Sequence, residues 1–221
     1  MMLSKAQEKL IKSLHNNKGR QKSGLCLVEG QKVIDLAGDL IETKFTKDDS
    51  MNFDQLVTTE TPQEIAATAR IPKWNVEDIS SKEVIVFLDN VQDPGNVGSI
   101  LRLCLGFDAS LVLVESVDVT SPKVIRSSVG AMFQVPWLDI DRTAVDTFIK
   151  EMDREVYRLE KKDKAEKFNT NIKKPLVLIA GSEGQGIKLN TKGKSIYIDH
   201  SEELESLNVG HALAIALYNL R

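Results

Sequence analysis

The sequence predicts an α/β protein in which a small α/β section precedes a larger parallel-sheet section. Three observations carry this. Two strand-length runs, EVIVFL (83–88) and PLVLIA (175–180), are continuously apolar, as expected for parallel strands covered on both faces. Helical periodicity alternates with strand runs through the second half of the chain. The first 75 residues show shorter alternating segments, and WNVEDISSKE then breaks the rhythm. We therefore expect a small α/β unit over 1–75, a linker over 76–82 and a larger domain over 83–221.

The elements follow in order. Residues 4–15 have Leu10, Ile11 and Leu14 at helical spacing. GLCLVEG reads as a short buried strand ending at Gly30, and residues 31–40 as a helix. LIETKF and QLVTTE are expected as strands, and Pro62 as the first residue of a helix through PQEIAATAR. In the second section we expect helices at 97–107, SPKVIRSSVG (121–130) and AVDTFIKEM. Strands are expected at SLVLVE (110–115) and KSIYID (194–199), and a final apolar helix in SLNVGHALAIALYNL.

Composition narrows the function classes. At 221 residues, with 42% hydrophobic and 28% charged residues, the chain is ordinary for a soluble globular protein. No apolar stretch approaches the roughly 18 residues of a membrane span, and the N-terminus has no signal-peptide core. Cys26 and Cys104 each sit in an apolar run and read as buried free thiols. The three histidines, His15, His200 and His211, lack metal-ligand spacing, so no metal is expected. A cytoplasmic protein is the expectation. Net charge is −3, but residues 1–32 hold seven cations against two anions. Lys18, Arg20 and Lys22, in what reads as an exposed loop NNKGRQK, are candidate phosphate contacts. A second, mixed cluster spans 158–174. A solvated surface explains both clusters equally simply.

Ligands of open α/β sheets bind beyond the carboxyl ends of the strands. After EVIVFL comes DNVQDPGNVGSILR, where Asp93-Pro94-Gly95 turns, Asn96 can cap the next helix, and Arg102 lies within it. After PLVLIA comes Gly181-Ser182-Glu183-Gly184-Gln185-Gly186. Its glycines match neither a phosphate loop nor the dinucleotide fingerprint, and Glu183 suits a ligand with hydroxyls or positive charge. After KSIYID, Ser206 can cap the last helix and Asn208 falls in its first turn. Each loop alone has an ordinary structural reading. Their joint occurrence, each after a strand, points to one site.

At these residues the sequence resembles the TrmH (SpoU) family of RNA ribose methyltransferases, within the SPOUT superfamily. VQDPGNVGSILR, LVLIAGSEGQGI and SLNV with its alanine-rich helix are similar to the family's three motifs, and SPKVIRSSVGAMFQVP to an intermediate stretch. The likeness covers about 85–221, with a weaker one at GLCLVEGQKV. The chain departs from the family at Asp199-His200, where Pro-Met is usual, and at Gly210-His211.

The resemblance implies a deep C-terminal trefoil knot, a homodimer formed through the C-terminal domain, an RNA substrate (tRNA or rRNA) and S-adenosylmethionine as methyl donor. It implies cofactor contacts from Ile179, Ala180, Gly181, Glu183, Gly184, Ile198 and Leu207. Arg102, Asn96, Glu183, Ser206 and Asn208 would form the catalytic set, with Arg102 also meeting the RNA. Two other readings compete: a knotted RNA-binding protein without catalysis, and a nucleotide-dependent oxidoreductase. The missing G-x-G-x-x-G after the first strand argues against the latter.

Overall fold

A computed structural model describes residues 2–169 and 171–221. The chain divides into two compact units that are not continuous in sequence. Met1–Lys73 group with Asp118–Gln134, and Trp74–Val117 with Val135–Arg221.

The first unit is built on a three-stranded antiparallel sheet. Its strands are β1 (Leu25–Glu29), β2 (Ile41–Thr46) and β3 (Ile65–Arg70), in the order β1-β3-β2. Helix α1 (Lys5–Ser13) starts at a capping box formed by Ser4 and Gln7. It is followed by α2 (Asn17–Ser23), α3 (Gln31–Ala37) and the single turn α4 (Phe53–Leu56). Ile11, Leu14, Leu27, Phe45, Phe53 and Leu56 form the core, with Phe45 and Phe53 edge to face at 5.7 Å.

Three sequence expectations fail in this unit. PQEIAATAR is not a helix: residues 65–70 are the central strand β3, with Ala66, Ala67, Thr68 and Ala69 all buried. Alanine's helix preference is small beside the ladder bonds gained on both sides, and small side chains suit a strand covered on both faces. QLVTTE is not a strand. Gln55 and Leu56 close α4, and Thr58 and Thr59 turn instead to the Glu29 carboxylate. The third fails because NNKGRQK is largely helix α2, capped by Asn16, rather than an exposed loop.

The distant segment 118–134 contributes α7 (Pro122–Ser127), begun by Ser121 as cap and Pro122 in the first turn. It also supplies Asp118, which pairs with Arg20 at 2.5 Å. The other nitrogens of that guanidinium donate to the Leu14 carbonyl at 2.8 Å and to Thr120 Oγ1 at 3.0 Å. Arg20 is 3% exposed and each of its three guanidinium nitrogens has a partner, which explains why an arginine is tolerated there.

The second unit begins with α5 (Val76–Ser80), a short helix where the sequence suggested a linker; Asn75 and Asp78 form its capping box. A seven-stranded parallel sheet follows. Its strands are β4 (Val84–Asp89), β5 (Ala109–Val114), β6 (Trp137–Asp139), β7 (Glu155–Leu159), β8 (Glu166–Lys167), β9 (Leu176–Gly181) and β10 (Lys194–Tyr197). Their order is β6-β5-β4-β9-β7-β10-β8. The two strands read most clearly from sequence, β4 and β9, are central neighbours in register from Val84↔Leu176 to Asp89↔Gly181. Strands β6, β7 and β8 escaped the sequence reading because they are short or carry charge.

Helices α6 (Pro94–Gly106), α8 (Val145–Met152) and α9 (Val209–Asn219) complete the unit, and α6 packs on α9. One core layer joins Ile85, Phe87, Val112, Phe148, Val177 and Ile179. Asp93, not Asn96, caps α6, accepting the Asn96 amide at 2.7 Å. Likewise Asn208, not Ser206, caps α9, accepting the amides of Gly210 and His211.

Candidate active site

The carboxyl ends of β4, β7, β9 and β10 lie at one edge of the sheet, because all the strands are parallel. Beyond β7, β9 and β10 opens a cavity of about 730 Å³. Its apolar lining includes Leu159, Ile198, Leu204 and Leu207. Its acidic groups are Glu160, Asp163, Glu183, Glu202 and Glu205, against the cations Lys161 and Lys162. A ligand with a flat apolar part and a positive charge fits such a lining.

The Gly181–Gly186 loop forms one wall. Ser182 and Gly186 pair across it, and the Gly186 amide donates to the Ser182 carbonyl at 2.8 Å. A β-carbon on Gly181 would stand 2.1 Å from the carbonyl carbon of Gly186, so only glycine allows the loop to close. Gly186 itself takes φ +65°, the left-handed region.

The loop's acid is held by two amides from remote segments. Glu183 Oε1 accepts from Asn208 Nδ2 at 2.5 Å and from Asn96 Nδ2 at 3.1 Å, and Asn208 Nδ2 also lies 2.8 Å from Asn96 Oδ1. Three residues, one from each expected motif, thus meet in one network. Asn208 does two jobs, since its Oδ1 caps α9 while its Nδ2 ties that helix to the loop.

At the cavity mouth, Lys161 pairs with Glu205 at 2.9 Å and Lys162 with Glu202 at 2.8 Å. These partners hold the two glutamates below the ordinary carboxylate range. Lys167 pairs with Asp199 at 2.5 Å, so the departure at Asp199 supplies an ion-pair partner. His200 Nδ1 lies 2.6 Å from the Ile198 carbonyl oxygen. Burial pushes the Glu160 carboxyl up, but hydrogen bonds from Ser195 and Arg158 outweigh it and hold it low. The basic side of the 158–174 cluster is therefore committed in good part to local acids.

Of the expected site residues, Ala180, Gly181, Glu183, Ile198, Ser206 and Leu207 line the cavity, and Asn96 and Asn208 reach it through Glu183. Ile179 does not line it, because its side chain faces the opposite way along the strand into the core. Gly184 is exposed at the loop tip, outside the lining. Arg102 is exposed on α6, about two turns past Pro94, with no side-chain hydrogen bond or ion pair among the described residues. Leu159, Glu160, Tyr197 and Leu204 were missed. The signal that could have found the first two was the carboxyl end of a third strand, hidden by its charged residues.

A parallel α/β sheet with a cavity and a polar network at its carboxyl edge defines a ligand-binding, group-handling α/β protein. Comparison with known proteins makes this specific. Residues 83–218 match the SpoU rRNA Methylase family, and the chain belongs to that family. It is 28% identical, over 95% of its length and 94% of the relative's, to the 23S rRNA (guanosine(2553)-2′-O)-methyltransferase RlmP of Bacillus subtilis. It is 26% identical, over 87% of its length and 73% of the relative's, to a 23S rRNA (uridine(2479)-2′-O)-methyltransferase of Streptomyces viridochromogenes. Among solved structures, a Porphyromonas gingivalis protein assigned to the TrmH family of RNA methyltransferases superposes with a TM-score of 0.84 at 27% identity, covering 100% and 99% of the two chains. An AdoMet-bound rRNA methyltransferase from Sinorhizobium meliloti shares the fold, with a TM-score of 0.84 at 23% identity and coverage of 99% and 95%.

Proposed function

We propose that the chain transfers a methyl group from S-adenosylmethionine to a ribose 2′-hydroxyl of ribosomal RNA in the cytoplasm. The observation that carries this is the Asn96–Glu183–Asn208 network set against the cavity beyond β7, β9 and β10. A relative matched over 94% of its length and named for methylation of 23S rRNA favours ribosomal over transfer RNA. The cavity suits S-adenosylmethionine in three respects: size, apolar walls for an adenine, and an excess of carboxylates for sulfonium and ammonium charge.

When bound, that molecule supplies an electrophilic methyl on a sulfonium. The chain's own residues then do the rest. The network fixes the Gly181–Gly186 loop, so that the cavity wall is formed before the ligand arrives. Ser206, Leu207 and Ile198 complete the wall. Arg102 clamps an RNA phosphate and orients the ribose hydroxyl, and the RNA phosphate assists the loss of the hydroxyl proton. No metal enters this scheme. We read the path from β10 past the glycine loop to α9 as the deep trefoil knot of the superfamily. It is supported by the return of α9 onto α6, the helix that follows β4. We also read the chain as a homodimer. Leu105 on α6 and Ile215 and Tyr218 on α9 are exposed apolar side chains on two packed helices.

The test is transfer of labelled methyl from S-adenosylmethionine to purified ribosomal and transfer RNA, with the product nucleoside identified. Label in a ribose-methylated nucleoside of rRNA supports the reading. RNA binding without label points to the catalytically silent alternative.

A further inference from the structure

Asp89 ends β4 and is 0% exposed. A buried carboxylate is costly unless each oxygen is partnered. Here Oδ2 accepts the backbone amides of Lys188 at 2.5 Å and Leu189 at 2.8 Å, and Oδ1 accepts Arg142 Nη2 at 2.8 Å. The main-chain oxygen of Asp89 accepts the amide of Ser182 at 3.2 Å. One residue therefore holds the glycine-loop segment at both ends, at Ser182 through its backbone and at Lys188 and Leu189 through its side chain. Between these ties lie Glu183 and Gly186, which line the cavity.

Arg142 sits just after β6 and bridges two acids, Asp89 at 2.8 Å and Glu115 at 2.6 Å. It balances the buried charge at the sheet's carboxyl edge. Glu115 follows β5, takes φ +47° and accepts Gln92 Nε2 at its carbonyl, at 2.5 Å. The clasp is thus braced from β5 and β6, on the side of β4 away from the cavity.

We propose that Asp89, braced by Arg142, is a positioning residue that clasps the 182–189 loop and so sets the affinity of the cavity for S-adenosylmethionine without touching it. The inference rests on the methyl-donor reading above. Asparagine cannot replace Asp89, because all three side-chain partners are donors and an amide must turn its NH₂ toward at least one of them.

The experiment combines calorimetry with S-adenosylmethionine and amide hydrogen exchange on the full-length protein. For Asp89→Asn, Kd should rise at least tenfold, about 1.4 kcal/mol. The Lys188 and Leu189 amides should exchange at least tenfold faster, while amides in β5 keep their rates and RNA affinity stays within twofold. A merely destabilising change would instead raise exchange throughout the second unit. If Asp89→Asn does not fold, Arg142→Ala decides: a severalfold rise in Kd with faster exchange at 188–189 supports the clasp. Folded variants with wild-type Kd and wild-type exchange overturn it. Wild-type protein that binds no S-adenosylmethionine defeats the methyl-donor reading, and with it the affinity claim; the exchange data still show whether the clasp exists.

Discussion

Asn208 Nδ2 lies 2.5 Å from Glu183 Oε1, joining the helix cap of α9 to the glycine loop after β9. The two residues stand on segments that the chain builds separately, and Asn96 joins them from a third. Because the Asn208 amide serves the site while its carbonyl serves the helix, the two roles can be split. Asn208→Asp keeps a capping oxygen but sets a second carboxylate against Glu183. We expect Asn208→Asp to lose at least tenfold in S-adenosylmethionine affinity with thermal stability within a few degrees, and Asn208→Ala to lose affinity and about 1 kcal/mol of stability. Calorimetry and thermal melts read the two separately.

Among the described residues Arg102 has no side-chain partner to release, so its removal should cost little structure. Arg102→Ala should abolish methyl transfer while S-adenosylmethionine affinity stays within a few-fold. Arg102→Lys should restore little, because an ammonium cannot make the planar two-point contact with phosphate. Single-turnover methylation beside binding measurements checks this. A fully active Arg102→Ala protein contradicts the role.

Gly181→Ala is the smallest change that tests the loop. The added methyl meets the backbone of Gly186 rather than a movable side chain. Ligand affinity should fall at least tenfold as the loop opens. Rapid exchange of the Gly186 amide, which donates to Ser182 in the wild type, should accompany it.

The basic N-terminal stretch separates into two kinds of residue. Lys18 and Lys22 are exposed on α2, and Arg20 is buried against Asp118. Changing both lysines to Ala should weaken RNA binding and lower the log–log salt slope by about two, at about one unit per phosphate contact. Arg20→Ala should instead destabilise the protein by about 3 kcal/mol, read by denaturant unfolding. If the double lysine variant keeps its affinity and slope, the RNA grip lies elsewhere.

Asp118 should make the protein acid-sensitive. Burial pushes its carboxyl up, but hydrogen bonds from Arg20, Thr120 and Asn17 outweigh this and hold it below the ordinary range. A lowered folded value means that the unfolded chain binds the proton more readily. The stabilisation is therefore complete above the unfolded value, near 4, and is lost as pH falls toward the folded one. Asp118→Asn should be less stable than wild type at neutral pH. The gap should narrow on acidification, as shown by urea midpoints at pH 7 and pH 3.5.

Much of the second unit was legible because burial on both faces leaves an unbroken apolar run, as in β4 and β9. Strand β7 was not, because Glu155 and Arg158 break its pattern. These residues find partners in Lys194 and in the Leu189 and Thr191 carbonyls, which only the folded chain brings near. In the first unit, the alanines of β3 gave a helical signal that the central position in the sheet overrode. Within the site, glycine and asparagine types marked the right loops. They could not say that Asn208 rather than Ser206 caps α9, or that Asp89 reaches across about one hundred residues to the loop's end. Such pairings depend on which parallel strands become neighbours, and that follows from topology rather than local pattern.

The central claim is ribose methylation of RNA at this site. It is tested most directly by mapping 2′-O-methyl positions in ribosomal RNA from cells lacking the protein, complemented with wild type or with Arg102→Ala. The account predicts a ribosomal ribose methylation that disappears on deletion, returns with wild type and stays absent with the variant. An unchanged map after deletion, or full restoration by Arg102→Ala, would contradict it.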